Sequence, residues 1–438
     1  MTEAWMIALI MFGSLLLFLA LGVPIAFTMG GLSLIIGFLY WGGLPSVEAF
    51  VLGSFGKVTE FTLTALPLYI FMAAILQYSD LADDMYEAVY RWLGGIRGGL
   101  AAGTTFISSI FAAMVGIATV ATATLGMTAR PSMIKRGYDE KMTLGVIMAG
   151  GALGVLIPPS IIMIIYATEA NVSAGAMFIG GILPGILAAV IFILYVLILC
   201  FLKPEKGPAL RKEERYTLKE KIASLKSVIL PLFVIVLVLG SIYLGVATPT
   251  EAAAVGVVGA LISAAIKRKL SLDNFKKMIE MTVRINAMVF WIIIGAVAYS
   301  RIVTVTGVGE WFASLITGLE INRWVILIGM QLIFFILGML VDPAGIILMT
   351  GPLFLPVVTE LGFDPVWYGV MFVINMCMAY MTPPFGFNLF VMRGVAPEVP
   401  IGTIYASVWP FVGLYILVLA LVMIFPQLVL WLPSLMLK

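Results

Sequence analysis

Histidine is absent from the 438 residues, cysteine occurs twice, and only 11% of the chain is charged. Without histidine the chain lacks the commonest general base and metal ligand. Cys200 and Cys377 each sit inside an apolar run. They cannot form a zinc site alone and read as small core residues with no disulfide between them. Soluble domains carry about 25% charged residues, so a cytosolic globular protein is excluded. Neither GxxxxGK[ST] nor a dinucleotide fingerprint follows a strand, which leaves no case for ATP hydrolysis. An intramembrane protease would need a Ser–His or Asp–Asp pair. The net charge of +2 is too small to point to nucleic acid. No cleavable signal peptide is expected, since Met1-Thr2-Glu3 offers no basic n-region.

What the chain does have is apolar length: 62% of its residues. The run from Ala4 to Trp41 is about twice the ~20 residues that cross a bilayer, and Gly22-Val23-Pro24 divides it into two helices. Further apolar stretches cover 62–79, 98–131, 142–168, 174–202, 227–246, 249–266, 278–303, 323–360, 364–392 and 406–430. The fold class is therefore an all-α polytopic membrane protein embedded in the lipid bilayer. Two segments read as interfacial. Residues 80–97 alternate Asp80, Asp83, Asp84, Glu87 and Arg91 with Tyr86, Tyr90 and Trp92 at helical spacing, and 203–226 forms a charged connector. That connector carries eight basic residues from Lys203 to Lys226, including Arg211 and Lys212, and is assigned to the cytoplasm. Counting crossings outward from it leaves only Lys57, Arg301, Arg323 and Lys438 of the 25 basic residues outside.

An internal repeat organises the rest. At an offset of 225 residues, Met114, Gly126, Pro131, Gly137, Tyr138, Asp139, Pro158 and Pro159 align with Met339, Gly351, Pro356, Gly362, Phe363, Asp364, Pro383 and Pro384. An odd number of crossings separates the copies, so they are oppositely oriented. Inverted repeats with Gly/Pro-interrupted apolar segments mark secondary transporters. Each copy holds an apolar segment with a central break, at Val115–Thr119 and Val341–Gly345, whose arms of about 15–18 residues are too short to span and predict a re-entrant hairpin. A helix broken by proline follows, at Pro158-Pro159-Ser160 and Thr382-Pro383-Pro384.

Double prolines remove backbone donors and free carbonyls. Unwound backbone at membrane depth survives only where it is buried in protein or lines a cavity. Freed carbonyls and helix C-termini suit a dehydrated cation, and helix N-termini suit an anion. Thr119, Thr122, Thr124, Ser160, Thr382 and Asn388 add oxygens at these breaks. The plainer alternative is that kinks and small residues serve helix packing, with hydroxyls bonded back to their own helix. Asp342 is the sharpest single residue, because a carboxylate at bilayer depth costs about 2.5–3.5 kcal/mol and needs a partner. It is either a cation ligand or an N-cap of the second hairpin arm. Under the repeat it faces Ile117, so no aspartate dyad forms. Glu251, after Pro249-Thr250, reads as a helix cap. Arg393 either attracts an anion or anchors the inner face.

The strings Lys135-Arg136-Gly137-Tyr138-Asp139, Gly154-Val155-Leu156-Ile157-Pro158-Pro159-Ser160, Gly362-Phe363-Asp364-Pro365-Val366-Trp367 and Thr382-Pro383-Pro384-Phe385-Gly386 resemble the large membrane subunit of TRAP transporters, the tripartite ATP-independent periplasmic uptake systems. The resemblance spans nearly the whole chain. It implies an inner-membrane protein that is no enzyme, an elevator-type ion-transporter-like fold, and Na⁺-driven import of small organic anions, chiefly carboxylates. It also implies two partners, a small four-helix membrane subunit and a periplasmic substrate-binding protein. Substrate contacts are expected at Gly116, Thr119, Ser160, Asp342, Thr382, Asn388 and Arg393. Na⁺ contacts are expected at Gly116, Ala118, Pro158, Asp342, Gly351, Thr382, Pro383 and Gly386, with no transition metal and no further cofactor. One departure stands out: the first tip reads Gly116-Ile117-Ala118-Thr119 where many members have Gly-Ser-Ser, so two hydroxyls are missing. The implied division is scaffold helices 1–79, a first transport repeat 80–173 (hairpin 98–131, broken helix 141–168), scaffold 174–303, a second transport repeat 304–394 (hairpin 323–360, broken helix 364–392) and a C-terminal scaffold helix 395–438. A stand-alone carrier of the same fold and a channel are the alternatives. A channel would present charge rings or a repeated filter, which the sequence does not show.

Overall fold

The computed structural model describes residues 2–79, 81–210, 215–318, 321–384 and 386–436; Met1, Asp80, Arg211, Lys212, Phe385 and Lys438 lie outside them. Among the described residues every regular element is helical. The first seven helices are α1 (Thr2–Ala20), α2 (Ile25–Tyr40), α3 (Leu44–Val58), α4 (Ala65–Gln77), α5 (Leu81–Leu93), α6 (Gly99–Val115) and α7 (Ala118–Lys135). Then come α8 (Glu140–Ala152), α9 (Ile161–Glu169), α10 (Ala174–Leu202), α11 (Leu218–Ser224), α12 (Lys226–Tyr243), α13 (Pro249–Ile266) and α14 (Leu272–Val305). The chain closes with α15 (Val308–Thr317), α16 (Arg323–Gly338), α17 (Pro343–Glu360), α18 (Pro365–Ala379), α19 (Phe387–Val395), α20 (Ile401–Ile424) and α21 (Gln427–Ser434).

Five of these, α10, α13, α14, α17 and α20, are long and apolar enough to cross a bilayer singly, and α3 with α4 form a pair bent by 59°. The division at Gly22-Val23-Pro24 falls between α1 and α2 as expected. Glu251 closes a capping box with Thr248, whose backbone N–H donates to Glu251 Oε2 at 2.8 Å.

The repeat is visible in the element bounds. Shifting α7 by 225 residues lands on both bounds of α17, and shifting the start of α8 lands on the start of α18. In both repeats two helices meet at a tight tip (α6–α7, α16–α17), and a broken helix follows (α8–α9, α18–α19). With 17 residues α6 is about 26 Å long, and α16 with 16 is about 24 Å, both short of a ~30 Å hydrocarbon core.

Both feet of the first hairpin are bonded to the connector. Gly98 N–H donates to Gly207 O at 2.8 Å, and Asp139 N–H to Lys206 O at 2.9 Å. The amphipathic α5 lies alongside, with Arg136 4.1 Å over the Tyr90 ring and Trp92 Nε1 donating to Lys221 O at 2.8 Å. Most of the connector is not one amphipathic helix: α11 is seven residues long. The feet of the second hairpin meet where Arg323 reaches Leu361 O, at the opposite end of the molecule from the connector.

Packing groups the helices in two sets that also touch. α2, α3, α4, α12, α13 and α14 contact one another, the hairpins and broken helices form a second set, and α14 against α17 and α4 against α6 join the two. α10 and α20, expected among the scaffold, pack on that second set, α10 against α6, α9 and α18 and α20 against α8 and α18. The physical reason is burial of small residues. Gly181 of α10 leaves room for Met163 and the Leu156 carbonyl, and Gly145 of α8 leaves room for Phe411 and the Ser407 carbonyl.

Candidate functional site

Gly116 ends α6 with φ of 65°, and its N–H donates to Ala112 O at 2.8 Å. A Cβ at this position would sit 2.3 Å from Pro159 O, so the first tip lies directly on the first proline break. Gly154 completes that contact, with Ile117 C and Ala118 N each 3.3 Å from where its Cβ would be. The break runs from a single 3₁₀ turn, Leu153–Val155, to the start of α9. Ser160 closes it. Its buried hydroxyl donates to Val155 O at 2.7 Å and accepts from Met163 N–H at 3.4 Å. Pro158-Pro159 and Pro383-Pro384 are both cis.

The second break folds on itself. Thr382 Oγ1 donates to Met378 O at 2.7 Å, Gly386 N–H to Thr382 O at 3.1 Å, and Asn388 N–H to Tyr380 O at 2.9 Å. Thr382 thus follows the plainer alternative of a hydroxyl bonded back to its own helix. Thr122 and Thr124 do not, because their buried Oγ1 atoms find no hydrogen-bond partner.

Two bonds cross between the repeats at the level of the breaks. Asn388 Nδ2 donates to Met148 O at 3.1 Å, and Cys377 Sγ to Ala152 O at 3.2 Å. Residues 377 and 152 are themselves one repeat apart. These bonds bring the second break, with Thr382, Gly386 and Asn388 buried and Pro383 half-buried, against the helix that leads into the first, where Gly116, Ala118, Pro158 and Ser160 are buried.

The helix starts at this core differ in capping. α9 is capped by Ser160, and α17 by Asp342, whose Oδ1 accepts from Ala344 N–H at 2.9 Å. α7 and α19 begin at Ile117 and Gly386 with no side-chain cap. These two uncapped helices pack together, and Gly126 lies against Met392 and Val395. Gly126 and Val395 are each eight residues past the start of their helix, about 12 Å. Contact at the same depth in both helices sets their N-terminal N–H groups toward the same end of the pair, a partial positive charge.

Asp342 also lines a cavity of about 430 Å³ between the second tip, Phe387 at the start of α19, the α1–α2 turn and Trp291 of α14. No basic side chain lines it. Arg393 is engaged elsewhere, donating to the carbonyls of Pro397 and Val399. Beside it Arg130 holds Glu140 and Glu398 at 2.6 Å each. Arg393 thus braces the α19–α20 loop.

Gly351 stands apart from the second tip, in the middle of α17, where a Cβ would meet Glu169 Cγ at 2.8 Å. Both residues line a cavity of about 800 Å³ with Glu310 and Glu360. Sequence reasoning missed this cavity because its wall is α15, a short helix whose position follows only from packing. It also missed the Asn375–Gln331 pair, where Nδ2 donates to Oε1 at 3.0 Å, since isolated amides in apolar runs carry no spacing signal.

Residues 12–428 match the family model described as the tripartite ATP-independent periplasmic transporter, DctM component. The chain is 32% identical over 390 residues to the C4-dicarboxylate TRAP transporter large permease protein DctM of Pseudomonas aeruginosa, covering 89% of this chain and 90% of that protein. It is 30% identical over 427 residues to the ectoine TRAP transporter large permease protein TeaC of Halomonas elongata, covering 97% and 99%. In fold it is similar to Neisseria gonorrhoeae MtrF, described among antimetabolite efflux pumps, with a TM-score of 0.63 at 14% identity over 89% of this chain and 85% of that one.

Proposed function

Since the chain belongs to the DctM-component family of TRAP transporters and is a multi-pass inner-membrane protein, we propose that it is the large permease subunit of a sodium-coupled importer of small organic anions, principally carboxylates. In this proposal a periplasmic binding protein loads the substrate, and a small four-helix membrane subunit completes the scaffold. The observation that carries the anion assignment is the packing together of two helices, α7 and α19, whose starts have no side-chain cap. Each helix N-terminus is worth about 0.3–1 kcal/mol to an anion, and up to ~2 kcal/mol when partly buried. Two together substitute for the arginine clamp that this core lacks.

Cations fit the complementary elements. The freed carbonyls around Pro158 and Pro159, beneath Gly116 and Ala118, form one oxygen-rich patch. The Thr382–Gly386 loop, with Asp342 at the facing tip, forms another. The first tip's missing hydroxyls leave ligation there to backbone oxygens. Hard cations such as Na⁺ accept such carbonyl shells.

The hairpins enter as re-entrant pairs from opposite faces, and with the broken helices, α10 and α20 they form the body that slides as an elevator. α2–α4 and α12–α14 form the frame it slides against. The support is the grouping of the helices into two packing sets, which meet along α14–α17 and α4–α6.

Proteoliposomes holding this chain with its small partner test the reading. An inward Na⁺ gradient should drive uptake of a labelled C4-dicarboxylate or another carboxylate only when the loaded binding protein is added, because that protein raises local substrate and favours the outward-facing state by differential binding. Full-rate uptake without it would leave a stand-alone carrier, and uptake indifferent to Na⁺ would remove the coupling assignment.

A further inference from the structure

Two apolar cavities, of about 200 and 360 Å³, lie between α15 and the second hairpin. Phe312, Ile333 and Phe354 line both, so the two are one groove with those three side chains at its waist. It follows α16 from Val325 to Leu337, about 18 Å at 1.5 Å per residue, and reaches α1 at Phe12 and Leu16. That is slightly more than the ~15 Å depth of one leaflet. The lining is hydrocarbon. The one hydroxyl among those residues, on Thr350, is already bonded to Ile346 O at 2.6 Å.

Next to Val325, where the groove ends at the start of α16, stand Trp324 and Arg323. Arg323 is exposed, rests over the rings of Phe363 (5.2 Å) and Trp324 (5.8 Å), and pairs with no carboxylate among the described residues. A tryptophan and a cation at one level mark the headgroup region of a bilayer.

We infer that this groove is a phospholipid seat: one acyl chain lies along α16 between α15 and the second hairpin, and the headgroup phosphate sits on Arg323. On the charge-derived orientation the lipid comes from the outer leaflet. An α-helix of a partner subunit, ~10–12 Å across with its side chains, is too wide for a slot of this volume, whereas a single hydrocarbon chain needs only its own cross-section. The guanidinium, with no carboxylate partner among the described residues, supplies the charge complementarity that an alkane alone would not use. The inference needs only membrane insertion and is independent of the substrate and coupling ion.

The test is photolabelling of the membrane-embedded complex with phosphatidylglycerol carrying a diazirine midway along one acyl chain. Phosphatidylethanolamine and diacylglycerol bearing the same label run in parallel. Gly329 lines the groove, and a Cβ there would meet nothing within 4 Å, so Gly329→Leu fills the slot without a backbone clash. Val325→Trp does so from an exposed position.

Label should map to peptides containing Phe312, Ile333 or Phe354. Each filling variant should cut it about tenfold, the factor for losing contact equal to about two buried methylenes. Arg323→Gln should lower labelling by both phospholipids about threefold, as for loss of an exposed ion pair, and leave diacylglycerol unchanged. Labelling that ignores both filling variants, diacylglycerol labelling equal to that of the phospholipids, or crosslinks from this groove to the small subunit would each overturn the assignment.

Discussion

Replacing Gly116 by alanine separates two costs that coincide at the first hairpin tip. The first is conformational: φ of 65° is left-handed, which costs an L-residue about 1–2 kcal/mol. The second is steric. The new methyl would lie 2.3 Å from Pro159 O, so restoring ordinary contact near 3.5 Å forces tip and break apart by about 1 Å. Binding constellations must be held to about 0.5 Å, so the displacement should cut the initial rate of Na⁺-driven uptake about tenfold or more. Gly307→Ala is the internal control. Its φ is 68°, yet nothing lies within 4 Å of the added methyl, so it carries the conformational cost alone. The assay is paired: melting temperature of the purified complex and initial uptake rate in proteoliposomes. The control should lose stability and keep its rate, while Gly116→Ala loses both. Equal behaviour of the two variants would refute the claim that tip and break form one fitted site.

Asp342→Asn should stay folded, since the amide oxygen can still accept from Ala344 N–H, but it should need far more Na⁺ for half-maximal uptake. An unchanged sodium dependence would leave Asp342 as a cap only. Ser160→Ala removes a buried donor to Val155 O and the α9 cap, so it should destabilise by about 1–2 kcal/mol, read as a lower melting temperature. Import of two Na⁺ with a monoanion would move one net charge, worth about 2.3 kcal/mol per 100 mV; uptake should therefore accelerate under an inside-negative valinomycin potential, and indifference to it would exclude that stoichiometry.

The helical hairpins and breaks were legible in the chain because their causes are local. Prolines at 158, 159, 383 and 384 must break a helix wherever the fold carries them, and Gly116 and the Asp342-Pro343 pair mark where one hairpin arm ends and the next begins. Asp342 as a cap followed from its place before Pro343. The surroundings of Gly351 and Arg393 were not legible. Gly351 aligns with Gly126 in the repeat, yet Gly126 meets Val395 and Gly351 meets Glu169. A glycine's spacing records that something comes close, not what. Arg393 has two backbone carbonyls for partners, and backbone acceptors are present in every sequence. The packing partners of α10 and α20 were not legible for a similar reason: both are apolar over most of their length, so hydropathy places them in the membrane without saying which neighbour they bury against.

On the proposed placement of cation and substrate at the two proline breaks, the Asn388–Met148 and Cys377–Ala152 bonds link the breaks in one thermodynamic cycle. A ligand that orders the second break stiffens Asn388 and, through the Met148 carbonyl, the helix leading into the first. Occupancy at one break then lowers the ordering entropy still owed at the other, which is cooperativity without a large displacement. Linkage requires reciprocity: the factor by which bound cation tightens substrate equals the factor by which bound substrate tightens cation. Cutting the bond with Asn388→Ala should shrink both factors together and leave each ligand's affinity for the otherwise empty protein far less altered.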